Sequence, residues 1–254
     1  MSWFRPDYET PGPGVGPDTP RNKGFARLSE VIGRDFLNFY KAGLLAVVGA
    51  IPFTLGIIFA VRTKSILPMV LSGIVGGMVA APEIVGLFDT ILRSLRDEPG
   101  YWWGTYRRIW RESAKQSILP GSLFGLLLAV QIFTLNVLEN DFSRTVLLFL
   151  GLLVTAGLAV YIFTQLALMN LPFAGMLKNA LLLMIGNLHD SVVFLLEIGL
   201  YVVLIWYLYP VSAVILLLGG LWFPCLLSLL KIYPIIETTF DIESRIKEKQ
   251  SSSK

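Results

Sequence analysis

Two glutamates, one histidine, one cysteine and a cluster of aromatic and basic side chains are the residues here whose types could do chemistry. Glu83 and Glu197 lie inside long apolar runs. An ionised carboxylate at the centre of a membrane helix costs roughly 2.5–3.5 kcal/mol on insertion scales, so such acids face a polar cavity or a partner. Two readings follow. In one, the acids are structural, bonded to Asn170, Asn187 or a carbonyl freed by Pro82. In the other, they line a polar cavity used in transport or recognition. His189 is the single histidine and Cys225 the single cysteine, so no metal or cofactor is expected. His189-Asp190 reads as a boundary pair, and Cys225 as a packing residue. With no nucleophile elbow and no Gly-rich phosphate loop, enzymatic activity is not expected.

The densest chemistry lies between two apolar runs. Arg93, Arg96, Asp97 and Glu98 precede Tyr101, Trp102, Trp103, Tyr106 and Trp110, which interleave with Arg107, Arg108, Arg111 and Lys115. On a helix, positions 103, 106 and 110 share one face and 107, 108, 111 and 115 another. Amphipathic rings settle at headgroup level and arginines reach anionic lipid phosphates, so the first reading is an interfacial helix lying in the membrane plane. The second is a docking surface for another protein. Nucleic acid is a poor partner for a patch tied to a bilayer, and the net charge of +3 reflects topology.

Those residues must be positioned by membrane helices. Six apolar runs, at 42–61, 66–92, 118–138, 146–169, 191–209 and 211–230, approach or exceed the roughly 20 residues that cross a 30 Å hydrocarbon core. Apolar residues make up 54% of the 254 and charged ones 15%, with a mean hydropathy of +0.66. A water-soluble domain would distribute its charges more evenly. The expected fold is all-α and polytopic, with six transmembrane helices and interfacial amphipathic helices. Three basic-then-paired-span units, led by 34–41, 106–117 and 176–190, suggest three repeated hairpins, although any even-span protein alternates this way.

Eighteen of the 21 basic residues fall on one side of this scheme, against Arg62, Lys64 and Arg144 on the other. Basic segments stay cytoplasmic during insertion, which puts both termini inside the cell. Residues 1–28, containing a Pro/Gly-rich stretch at 10–20, are expected to be flexible and not a signal peptide. Residues 29–240 form the membrane domain and 241–254 a frayed tail. Gly73, Gly77 and Ala81, and Gly121, Gly125 and Ala129, recur every fourth residue as close-packing faces. Pro52 and Pro82 lie inside spans as expected helix kinks.

The stretch Gly86-Leu-Phe-Asp-Thr-Ile-Leu-Arg-Ser-Leu-Arg-Asp-Glu-Pro-Gly-Tyr-Trp-Trp-Gly-Thr-Tyr-Arg-Arg-Ile-Trp, continuing through Lys115-Gln-Ser-Ile-Leu-Pro-Gly121, resembles the YesL-like family of small bacterial integral membrane proteins. Ile51-Pro-Phe-Thr-Leu-Gly56 and Lys178-Asn-Ala180 add weaker likeness, and the resemblance runs from about Phe36 to about Phe240. It implies a bacterial plasma membrane and a setting of carbohydrate uptake beside ABC transporters, but carries over no site residue. The chain departs from the ABC permease pattern, since Ala114, Gln116 and Ser117 occupy the places of its isoleucine, leucine and proline. The expected role is therefore a non-catalytic accessory of a carbohydrate ABC system. The alternative is a small transporter for a sugar or related solute, with a cavity at Glu83 and Glu197. The oligomeric state stays open.

Overall fold

The computed structural model of the chain describes residues 21–22, 24–98, 100–138, 141–169, 171–208 and 220–244, without the side chain of Trp206. Within them the fold is all-α, and six helices are long and apolar enough to cross a membrane. This is a multi-pass membrane protein. The helices are α1 (Gly24–Thr63), α2 (Ile66–Leu95), α3 (Trp102–Val137), α4 (Phe142–Leu168), a shorter α5 (Phe173–Gly186), α6 (Leu188–Tyr207) and α7 (Trp222–Phe240). The expected kink positions Pro52 and Pro82 lie inside α1 and α2, and both helices continue through them.

Two of these helices are much longer than a bilayer is thick. At 1.5 Å per residue, the 40 residues of α1 span about 60 Å and the 36 of α3 about 54 Å, against roughly 30 Å of hydrocarbon. Both therefore continue beyond the apolar layer at the end where their basic N-terminal turns lie. This corrects the in-plane reading of the aromatic segment. Residues 102–117 are the first turns of α3 itself, because Tyr106, Ser113 and Ser117 continue its buried stripe without a break.

Helices α1, α2 and α3 pack through glycine. Gly49 of α1 lies against the Glu83 side chain and Gly56 against Ser72. Between α2 and α3, Gly77 meets the Gly121 carbonyl, Gly125 meets that of Gly73, and Gly121 faces Ala81. These are the stripes read from the sequence. Where α2 must fit both neighbours at once, its backbone widens into one π-helical turn, Ser72–Gly76.

α1 begins at Gly24, inside the segment expected to be flexible, and Arg27 is already 6% exposed. Residues 1–20, with the Pro/Gly-rich stretch, lie outside the described residues, as do 245–254. The sixth apolar run also differs. Its 211–219 portion lies outside the described residues, and α7 starts at Trp222, after Gly220 turns the chain at φ 42°, and ends ten residues past the expected boundary.

α7 has an unusual outer face for a spanning helix. Leu226, Leu229, Ile232 and Ile236 are buried, while Lys231, Pro234, Thr238 and Thr239 are exposed. The outward residues of α4 and α6 are instead apolar, such as Leu147, Leu150, Leu196 and Leu200. Trp222 rests its Cβ beside Gly43, with its ring 5.7 Å from those of Phe36 and Phe39. From there α7 runs toward the start of α1, closing the basic end of the bundle.

Candidate functional site

Side chains from α1, α2, α3 and α7 meet at this basic end. Helix α3 sorts its aromatic segment by direction. Tyr106 is buried, whereas Trp103, Arg107, Arg108, Trp110, Arg111 and Lys115 are exposed; positions 103, 106 and 110 keep to one face, with the Trp103 ring stacked 6.2 Å from that of Tyr106. The Tyr106 hydroxyl donates to Glu83 Oε2, and Trp110 Nε1 donates to Glu83 Oε1 at 2.9 Å. Both carboxylate oxygens thus have donors, and neither Asn170, which lies outside the described residues, nor Asn187 is needed. Asn187 instead bonds the Leu183 carbonyl. Gly86 leaves room for the Tyr106 ring, just as Gly49 does for the Glu83 stem. Trp102 turns inward, its Nε1 donating to Thr90 at 3.3 Å, with the Lys41 ammonium 5.5 Å from its ring centre.

The charges before the aromatic segment form an internal node. Asp97 adopts a left-handed φ of 58° at the turn after α2. That conformation is uncommon outside glycine, though aspartate tolerates it better than most residues. Three guanidiniums hold it there. Arg27 Nη2 donates at 2.8 Å, Arg34 Nη1 at 2.6 Å and Arg21 Nε at 2.9 Å. Partial burial alone would push the Asp97 carboxyl up, but hydrogen bonds and charge from Arg34 and Arg27 hold it below the ordinary aspartate value. Arg96 forks onto Glu98 at 2.8 and 3.0 Å, and Arg93 bonds buried Asp89 at 2.8 Å. A polar crevice of about 250 Å³ lies beside the node, lined by Arg34, Asp35, Arg93, Asp97, Trp102 and Thr105.

Glu197 lies elsewhere. It lines a groove of about 740 Å³ between α1, α6 and α7, together with Lys231 and Glu237, and Glu83 is not part of that lining. His189 is exposed and its Nδ1 is 3.5 Å from Asp190, while Cys225 is a free, partly buried thiol on α7. No group of three or more His, Cys, Asp or Glu suited to a metal occurs among the described residues. Comparisons with protein families, curated proteins and solved structures find no match to this chain.

The structure therefore divides the residues singled out from sequence into four places. Glu83 with Tyr106 and Trp110 forms a latch between α2 and α3. Arg93, Arg96, Asp97 and Glu98 turn inward as a structural node, Trp103, Arg107, Arg108, Arg111 and Lys115 face out, and Glu197 lines the separate groove. Sequence reasoning missed Arg21, Arg27, Arg34, Asp35 and Glu243 as partners in that node. Their separations of 59 to 222 residues leave no local signal.

Proposed function

We propose that this chain is a non-catalytic accessory protein of a bacterial plasma membrane, with cytoplasmic termini, that docks a partner transporter through the outer face of α3. One observation carries the reading. Trp103, Arg107, Arg108, Trp110, Arg111 and Lys115 are exposed along a helix whose buried stripe is Tyr106, Ser113 and Ser117. A rigid, aromatic and basic face is a pre-organised docking surface, because tryptophan and arginine supply most interface energy and little side-chain order remains to be imposed. The resemblance to YesL-like proteins supplies the partner class, a carbohydrate ABC importer.

The transporter alternative draws less support, since Glu83 has both oxygens satisfied by side chains and the groove at Glu197 is lined by other elements.

The test is purification of the tagged full chain from native membranes under mild detergent. ABC importer subunits in fixed proportion are the expected companions. Arg107→Glu, Arg108→Glu and Arg111→Glu together, and separately Trp103→Ala, should release them while leaving thermal unfolding near the wild-type value. Full retention by both variants, or a chain recovered alone, overturns the reading.

A further inference from the structure

The groove beside Glu197 is wide, and its charges are unevenly spent. Its volume of about 740 Å³ falls within the roughly 300–1,000 Å³ typical of ligand sites. Arg21 gives Nε and both Nη groups to Asp97, Glu243 and the Arg96 carbonyl. Arg27 is committed to Glu30, Asp97 and the Leu95 carbonyl. Glu237 accepts the Glu243 backbone N–H, and Glu243 also receives the Tyr233 hydroxyl. Two groups in the lining keep capacity for a ligand. Among the described residues, Glu197 Oε2 is buried with no hydrogen-bond partner, and the exposed Lys231 attracts that carboxylate without closing a direct ion pair.

A buried carboxylate oxygen without a donor is costly unless a ligand supplies one. Here the remaining lining dictates what kind. Leu28, Leu95, Leu227, Leu230 and Pro234 form apolar walls, and Phe25, 81% exposed, stands at the rim. The occupant must therefore be amphiphilic, with an N–H-bearing cation for Glu197 and an anion for Lys231. The groove also lies at the basic end of the bundle, beside the start of α1.

We propose that this groove binds an aminophospholipid, a lipid with a primary ammonium and a phosphodiester, from the adjoining leaflet. The ammonium donates to Glu197, the phosphodiester accepts from Lys231, and an acyl chain lies along the leucines. A choline headgroup has no N–H to donate, and a glycerol headgroup brings no positive charge to Glu197. The site uses nothing from the exposed α3 face, so it stands apart from partner docking.

Native mass spectrometry of the full chain, loaded with equal amounts of dioleoyl phosphatidylethanolamine, phosphatidylcholine and phosphatidylglycerol, tests this. The ethanolamine lipid should be retained about tenfold better than either competitor, the size of one charge-assisted hydrogen bond. Retention should fall stepwise through the mono-, di- and trimethylated headgroups, a series needing no variant. Glu197→Gln should remove most of the preference, and Lys231→Gln should weaken all three lipids. Equal retention of the three lipids by the wild-type chain overturns the proposal. So does indifference to methylation, or a preference unchanged in a folded Glu197→Gln protein.

Discussion

At the residue scale, Glu83 shows how a membrane-embedded acid becomes tolerable. Its expense was legible from its place after Pro82, but its donors were not, because Tyr106 and Trp110 are read most simply as members of an aromatic belt. The geometry makes different demands on each partner. Gln in place of Glu83 keeps an acceptor for Trp110 and can donate to the Tyr106 oxygen, so Glu83→Gln should cost under about 1 kcal/mol. Tyr106→Phe strands a carboxylate oxygen and should cost about 1–3 kcal/mol. Thermal unfolding of both proteins in one detergent checks the order, and a larger loss for Gln would show that the carboxylate charge itself is required. Asp97 makes a pH-dependent contribution. Because its folded carboxyl titrates below the ordinary value, its stabilisation is complete above about pH 4 and is lost as pH falls through the folded value. Wild type should lose more stability than Asp97→Asn between pH 6 and pH 3. Parallel pH profiles for the two proteins would remove Asp97 from the account.

At the element scale, the small-residue stripes decide how close α2 and α3 come. Every fourth residue of each stripe was legible because the helical period places such residues on one face. That the two stripes meet each other, and that α2 also widens into a π turn where Ser72 packs against Gly56 of α1, follows only from the three-helix fit. A Cβ at Gly121 would lie 2.5 Å from the Ala81 Cβ, with backbone of α2 just beyond it. Gly121→Val must therefore separate the helices and should destabilise by about 3 kcal/mol or more, the upper range for overpacking. A Cβ at Gly33 would meet nothing within 4 Å, so Gly33→Ala should be neutral or stabilise by up to about 1 kcal/mol through helix propensity. Melting temperatures of the pair measure the contrast. Equal tolerance at both sites would mean that α2 and α3 are not held by backbone contact.

At the scale of the whole molecule, the spans and the uneven basic charge were legible because hydrocarbon thickness and charge retention act on local sequence. The basic end of the bundle, its base, was not, because it assembles distant pieces. Arg21 reaches Glu243, Arg27 reaches Asp97, and Trp222 seats on Gly43, joining α1 to both α2 and α7. The last apolar run crosses Gly220, where φ is 42°, and from Trp222 the described helix α7 buries Leu226, Leu229, Ile232 and Ile236 against the bundle. This arrangement makes a prediction about sidedness that charge counting alone does not. In a Cys225→Ser background, single cysteines at exposed Arg62 and Ser143 should react with an impermeant maleimide added to intact cells. Cysteines at exposed Glu112 and Thr238 should react only after the membrane is opened. Glu112 tests the overhang of α3, and Thr238 tests whether the polar outer face of α7 belongs to the same end. External labelling of Glu112 would reverse the orientation drawn from the basic residues. External labelling of Thr238 alone would detach α7 from the base, and with it the closed side of the groove at Glu197.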